Sequence, residues 1–556
     1  MSAPTDIDRL VDGLQQHRAG RVDGAEAIYR QVLAENPRQG NALHLLGVLT
    51  LADGRLAECV GLLRRALGVR PDSQDTAQAL SQAAAAAALL QLRAGAADEA
   101  LWLAREATGC APAVAEAWFA EGASLRALGQ PMAAVAALQR AVRLDPRHAQ
   151  AHLALGNAHG DVDEADLAAT HLTEAIRLQP DLPEAHASLG FLLTGAGRLR
   201  EAIAACDAAI ALRPGFARAH WNRSFAHLLA GDFLPGWEDY EWRKRDARFA
   251  GDFPALPGRE WTGEALTGKM LLVHAEQGLG DTIQFARYLP LLAARGARVV
   301  LACARPLITL LETVDGVAAA VDRAGRLPKY DLWVDQMSLP RLFATVIGSI
   351  PSPAGYLPGA CAAPQSSAPL RVGLVWAGNP LHQNDRRRSI PSAALAPLFQ
   401  VPGIDWVNLQ VGARAGDFPD LPPPDGLTDF AATARVIATL DLVIAVDTST
   451  AHLAGAMGRP VWLCLPAAPD WRWVLGRYDS PWYAAMRLFR QPFPGDWGSV
   501  IAQVRTALGR YRPRAIYDVA SVASIDATAV ATVPQIMSTT ATLAGKPRMV
   551  ERLVMS

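Results

Sequence analysis

The chain of 556 residues lacks net charge: 53 basic side chains meet 54 acidic ones, for a formal charge of -1. A balanced chain makes no global field that would gather nucleic acid or an anionic membrane surface, so neither is expected as a partner. Long apolar runs are missing too. Ala83 to Leu90 is short and Val299 to Leu311 is broken by Arg305, below the ~18 uninterrupted residues a bilayer span needs. The start, Met1-Ser2-Ala3-Pro4-Thr5-Asp6, has no basic segment followed by an apolar stretch, so no secretory signal is expected and a cytoplasmic location is. Cysteine is scarce. Cys59, Cys110, Cys206, Cys303, Cys361 and Cys464 never form a Cys-x-x-Cys pair, which argues against a zinc ribbon or redox pair and leaves reduced packing residues.

What the chain does have is a period. Pro37, Pro71, Pro112, Pro146, Pro180 and Pro214 follow one another at 34, 34, 41, 34 and 34 residues. Aligning on them places Gly13, Gly47, Ala88, Gly122, Gly156 and Gly190 at one small position, and Ala25, Cys59, Ala100, Ala134, Ala168 and Ala202 at another. Small residues let two helices approach closely, and a proline after the second helix stops it. The pattern resembles tetratricopeptide repeats over residues 5–245: six helical hairpins, the third with seven extra residues, forming an α-helical solenoid. That resemblance implies a groove that binds proteins or peptides. His152, His186 and His220 recur at the same interval, but a residue repeated on successive units is expected to pack rather than converge on a metal. Asp161-Val162-Asp163 falls in a repeat turn and is not expected to bind a cation. A seventh unit beginning at Ala217 degrades into a segment with Trp237, Tyr240 and Trp242, whose spacing suits a helix sealing the solenoid end against the next domain. Pro254, Pro257 and Gly258 mark a linker over 246–267.

From Gly268 short apolar runs alternate with helical stretches. Met270 to His274, Arg298 to Cys303 and Asp331 to Val334 read as strands of one α/β lobe over 268–360. Leu370 to Trp376, Asp405 to Leu409, Asp441 to Val446, Val461 to Leu465 and Met486 to Phe489 read as strands of a second over 369–512. Each lobe is expected to place its site at the carboxyl ends of its strands, with a cleft between them. The tail over 513–556 is rich in small residues and is expected to be poorly ordered.

Two segments carry chemistry. After the first strand comes Gly278-Leu279-Gly280-Asp281, whose glycines are expected to turn the backbone sharply and leave Asp281 at a helix start. In the second lobe an apolar strand ends at Asp447-Thr448-Ser449-Thr450-Ala451-His452, followed by Leu453-Ala454-Gly455-Ala456-Met457-Gly458-Arg459-Pro460. Hydroxyls at the turn and a small-residue helix after it offer free amides to a phosphate. Together these resemble the bacterial heptosyltransferases, glycosyltransferase family nine with the GT-B pair of Rossmann-type lobes. With the repeats, the whole chain resembles the bacterial tetratricopeptide glycosyltransferases, a group that includes flagellin-modifying enzymes.

The resemblance implies inverting, metal-independent transfer of a sugar to a protein hydroxyl, with no cofactor beyond the nucleotide-sugar co-substrate. By it Asp281 is the catalytic base, Gly278 and Gly280 shape its loop, the first lobe takes the acceptor, and Asp447, Thr448, Ser449 and His452 hold the donor. Ser449 stands where that family usually has glycine, and Arg388 in Arg386-Arg387-Arg388 is the best substitute for its lysine. The aromatic stretch Asp470-Trp471-Arg472-Trp473 through Trp482-Tyr483 either walls the donor pocket or packs between lobes. Two other functions stay open: a scaffold with a degenerate transferase domain, and a lipopolysaccharide sugar transferase.

Overall fold

The computed structural model describes residues 5–351, 354–357, 369–382 and 384–512; the tail over 513–556 lies outside them. The first half is a run of seven helical hairpins from Asp6 to Tyr240. Each proline of the 34-residue period acts through the residue before it. Asn36, Arg70, Ala111, Asp145, Gln179 and Arg213 all leave helical geometry, with φ from -131° to -144° and ψ from 75° to 94°, because the proline ring excludes the helical conformation there. Within each hairpin the turn rests on one left-handed residue. Gly20, Gly54, Gly95, Gly129, Asp163, Gly197 and Gly231 have φ between 66° and 88°, a region glycine enters without steric cost.

The close approach expected of the small position is visible atom by atom. A Cβ on Gly122 would lie 2.4 Å from Leu138, and one on Gly190 would lie 2.4 Å from the sulfur of Cys206. The pairing residue is sixteen positions later in all five units with glycine there; in the third unit the corresponding residues are Ala88 and Ala104, both fully buried in one cluster. There the extra seven residues lengthen the first helix, Gln74–Arg93, to 20 residues where Ala149–Asp161 has 13. Seven residues are close to two turns, so the buried face is kept.

The recurring histidines have a polar structural role. Ring N–H groups of His152, His186 and His220 donate to the carbonyls of Pro146, Pro180 and Pro214 at 3.2, 2.9 and 3.0 Å, as the Trp118 indole does to Pro112 at 2.9 Å. They tie each unit to the proline ending the previous one. Burial pushes the thiols of Cys206, Cys303 and Cys464 up to about 12.

The second half holds two five-stranded parallel sheets. The first contains β1 (Arg259–Glu260), β2 (Met270–His274), β3 (Arg298–Cys303), β4 (Val317–Asp322) and β5 (Leu332–Asp335), in the order β1-β5-β2-β3-β4. The second contains β6 (Leu370–Val375), β7 (Ile404–Asn408), β8 (Leu442–Val446), β9 (Val461–Leu465) and β10 (Met486–Arg490), in the order β10-β9-β8-β6-β7. Both are wound outward from an interior strand, so each has a switch point, between β2 and β5 and between β6 and β8, where the following loops diverge and leave a crevice. The segment read as linker is more than a connection: it supplies edge strand β1, paired with β5, and the buried Trp261 and Leu266.

The solenoid end and both sheets share one core. Phe233, Trp237 and Tyr240 are buried with Phe285, Trp471 and Trp482. The Trp237 indole donates to the Thr345 carbonyl at 2.9 Å; of the three aromatics expected on a sealing helix, Trp237 and Tyr240 lie on helix Phe233–Tyr240, while Trp242 falls in the turn Glu241–Arg245 and stacks on His220 at 3.8 Å. Three successive hairpin turns also touch the lobes. Asp163 meets Arg386 and Arg387, Gly197 lies against Leu475, and Gly231 lies against Ile347 and Val474. Among the described residues no helix is long and apolar enough to cross a membrane.

Candidate functional site

β2 ends at His274, and the chain passes through Glu276 and Gly278 into the short helix Leu279–Phe285. Asp281 is its third residue, and its Oδ2 accepts from the Gly278 N–H at 2.9 Å, closing the helix start. In the second lobe β8 runs into Asp447 and Thr448 and then into helix Ser449–Ala456. The Thr448 hydroxyl donates to the Val446 carbonyl at 3.2 Å and makes no cap. The first-turn amides of that helix therefore have no side-chain cap.

The two helix starts meet. A Cβ on Gly280 would lie 2.9 Å from His452 Cδ2 and 3.4 Å from the Ser449 Cα. The expectation that both glycines turn the backbone sharply is corrected here: Gly278 has φ -70°, ψ 170°, Gly280 lies within the helix, and neither has positive φ. Gly280 is needed for space between lobes. The structure thus brings Gly278, Gly280, Asp281, Ser449 and His452 to one junction.

His452 is only 4% exposed. Its Nδ1 lies 2.9 Å from the Tyr483 hydroxyl, its ring stacks on Trp473 at 5.5 Å, and its Nε2 stands 3.6 Å from Asp447 Oδ1. Asp447 Oδ2 accepts from the Trp473 indole at 2.9 Å. Burial would raise the Asp447 carboxyl, but His452 and the Trp473 hydrogen bond outweigh it and hold it below the usual range. Arg388 joins from the loop after β6, donating from Nη1 to the Asp447 carbonyl at 3.0 Å and from Nε to Asp385 at 3.3 Å. The five donor-side candidates, Arg388, Asp447, Thr448, Ser449 and His452, sit around the switch point between β6 and β8.

Arg472, read in the sequence only as part of the aromatic stretch, pairs with Asp281, which reading the sequence alone missed. Its Nη2 donates to Asp281 Oδ1, its Nη1 to Asp470 at 2.8 Å and its Nε to Gln284 at 2.7 Å, while the guanidinium lies 4.2 Å from the Trp471 ring centroid. Burial disfavours that cation, yet Asp470 and Asp281 reverse the effect and raise it. Burial in turn raises the Asp470 carboxyl. The aromatic stretch thus divides its labour: Trp471 and Trp482 fill the core against the solenoid cap, while Arg472 and Trp473 face the candidate residues. The signal available was a buried-looking arginine flanked by two tryptophans, without a hint of its partner.

Beneath Asp281 lies a charged cluster. His274, Glu276 and Asp335 are the described ligand-type side chains close enough to share an ion, but they are already neutralised. Arg243 reaches Glu276 at 2.9 Å and Lys244 reaches Asp335 at 3.1 Å, while His274 lies 3.1 Å from Asp335. Arg243 and Lys244 follow the solenoid's last helix, so this cluster bolts the repeats to the loop that leads to Asp281.

Comparison with known proteins identifies the first half. Models of the tetratricopeptide repeat match residues 16–84 and 153–215, and a TPR repeat model matches 122–162. The solenoid is a tetratricopeptide array. Protein FlbA of Caulobacter vibrioides is 30% identical over 326 residues, covering 51% of this chain and 54% of that protein. The chain therefore spans about half the length of the curated relative it matches. Among solved structures, YrrB, described as a TPR protein with an unusual peptide-binding site, is 18% identical with a TM-score of 0.29, covering 34% of this chain and 95% of its own. MamA is 24% identical with a TM-score of 0.25, covering 29% and 95%.

Proposed function

We propose that the chain is a glycosyltransferase of the GT-B type whose repeats recruit a protein acceptor. The observation that carries this is the junction itself: a carboxylate, Asp281, at one helix start, set against a second, uncapped helix start carrying Ser449 and His452, with Arg388 beside it. A nucleoside diphosphate suits free amides at a helix start and a forked cation. The acceptor oxygen attacks the anomeric carbon as the bond from that carbon to the phosphate oxygen breaks. The acceptor proton passes to Asp281, and the nucleoside diphosphate leaves with the electron pair. Charge developing on it meets the Thr448–Ser449 amides and Arg388. Asp281 already accepts from Gly278 and Arg472, yet a carboxylate has about four lone-pair sites, and its side chain is 24% exposed. Capacity for a hydroxyl proton remains.

Protein hydroxyls are chemically alike, so choosing one calls for binding away from the reacting atoms, which a repeat groove supplies. A Ser or Thr of a protein such as flagellin is the acceptor class the resemblance implies. Calorimetric titration with UDP-, GDP-, ADP- and CMP-sugars tests the reading: one nucleotide sugar binds saturably, and Arg388→Ala loses it. Silence across the panel supports the second reading, a protein-binding scaffold. One observation favours that alternative: the His452 and Asp447 side chains are satisfied internally by Tyr483 and Trp473.

A further inference from the structure

The left-handed turn position is glycine in six of the seven hairpins and Asp163 in the fifth, with φ 66°. A side chain in that region carries a steric cost that glycine avoids, and aspartate is among the few residues that tolerate it. Such an outlier asks what the side chain does there. Here the Asp163 carboxylate accepts from both Arg386 and Arg387, and the same turn offers two more acceptors: the Asp161 carbonyl takes Arg386 at 3.2 Å and the Gly160 carbonyl takes Arg387 at 3.1 Å. The two arginines belong to the one-turn helix Asp385–Arg388. Its last residue, Arg388, reaches the Asp447 carbonyl, and its first, Asp385, accepts from Arg388 and Ser389.

We propose that the fifth repeat is part of the second lobe's site, with Asp163 a positioning residue that tethers Asp385–Arg388 so that Arg388 stays over the switch point beside Asp447. The donor-site role of Arg388 rests on the transferase reading; the tether does not. The ion pairs are exposed, with side chains 41% accessible for Asp163 and 66% and 43% for Arg386 and Arg387. Exposed pairs stabilise a fold little. Their use is to fix where a short, basic segment lies, and repairing the turn to the repeat's own glycine separates that use from stability.

The test compares the full chain with Asp163→Gly, which restores the repeat turn, and Asp163→Asn, which keeps a residue suited to the left-handed region but drops the charge. Asp161→Asn, whose side chain pairs with Arg126, is the control. Expected are unchanged or higher melting temperatures for both Asp163 variants, faster tryptic cleavage after Arg386 to Arg388, and affinity for the nucleotide that the unaltered chain binds weakened roughly three- to tenfold. The control should match the unaltered chain in both assays. Unchanged cleavage overturns the proposal, as does faster cleavage with unchanged nucleotide affinity. Should the unaltered chain bind no nucleotide, the transferase reading falls, and the cleavage rates alone decide the tether.

Discussion

The guanidinium of Arg472 in the second lobe donates to the carboxylate of Asp281 in the first, 191 residues away in sequence. Together with the Arg472–Gln284 hydrogen bond and the packing of Gly280 on His452, this contact joins the lobes at the point where chemistry is proposed. It also sets Asp281 in one orientation, because Gly278 holds the other oxygen. An amide in place of the carboxylate can still accept from one of those donors but cannot take a proton. Asp281→Asn should therefore keep its urea midpoint close to the unaltered value while transfer falls about 10²–10⁴-fold, the usual worth of a general base. Arg472→Met should behave differently, costing about 1–3 kcal/mol in urea unfolding because Asp281, Asp470 and Gln284 all lose the donor that Arg472 supplies.

Gly280→Ala probes the same junction by volume alone. The added methyl would sit 2.9 Å from the His452 ring and 3.4 Å from the Ser449 backbone. His452 is wedged between Trp473 and Tyr483 and has little room to yield. Overpacking of this kind costs about 1–3 kcal/mol. Thermal unfolding should show that loss, and nucleotide titration should show weakened binding, because the Ser449 helix start is what moves.

In the solenoid, Gly122→Ala should be destabilising because its methyl would meet Leu138 at 2.4 Å. The third repeat carries the alternative pair at the same two positions, Ala88 and Ala104, both fully buried. The double variant Gly122→Ala with Leu138→Ala should therefore be more stable than the sum of its two single variants predicts. A double-mutant cycle by urea denaturation reads that coupling, which contacting residues commonly show at about 0.5–3 kcal/mol.

Local pattern made the repeats and most strands legible. The prolines and the small position mark six of the seven hairpins, and β2, β3 and β9 lie where apolar runs placed them. Strand β4 escaped because Val317-Ala318-Ala319-Ala320-Val321 is alanine-rich and lies at a sheet edge. Strand β1 escaped because two residues after Pro257-Gly258 carry no periodicity, and only pairing with β5 makes them a strand. The site divides the same way. The positions of Asp281, Asp447 and Ser449 are legible because each lies in or just before the first turn of a helix that follows a strand. The roles of Arg472 and Asp163 are not, since Asp281 lies 191 residues from Arg472, and Arg386 and Arg387 lie 223 and 224 residues from Asp163, so local sequence does not name the pairing.

Acid should weaken the solenoid through Glu26. The Arg55 hydrogen bond, followed by that of Arg30, holds its carboxyl down at about 2, with both arginines at 2.7 Å. A carboxyl lowered in the folded state adds stability that is present above its unfolded value, 4.5, and is lost as pH falls toward the folded one. Glu26→Gln should lower the urea midpoint at pH 7. The gap should narrow below pH 4.5 and close near pH 2.

Truncation separates recruitment from the rest only if the cut respects the shared core. Removing residues 1–230 would strip Leu228 and Leu229 from the cluster that holds Trp237, Trp471 and Trp482, and with them the turn at Asp163. That chain should aggregate, which is uninformative about the acceptor. Removing residues 1–144 ends at the close of the fourth hairpin and leaves the turns at Asp163, Gly197 and Gly231 that touch the lobes. Repeats contact only their neighbours, so a solenoid shortened at a hairpin boundary keeps the stability of what remains. The shorter deletion should stay monodisperse by light scattering, retain nucleotide binding, and fail to modify an acceptor protein that the full chain modifies. Unimpaired modification would move acceptor recruitment out of the first four repeats.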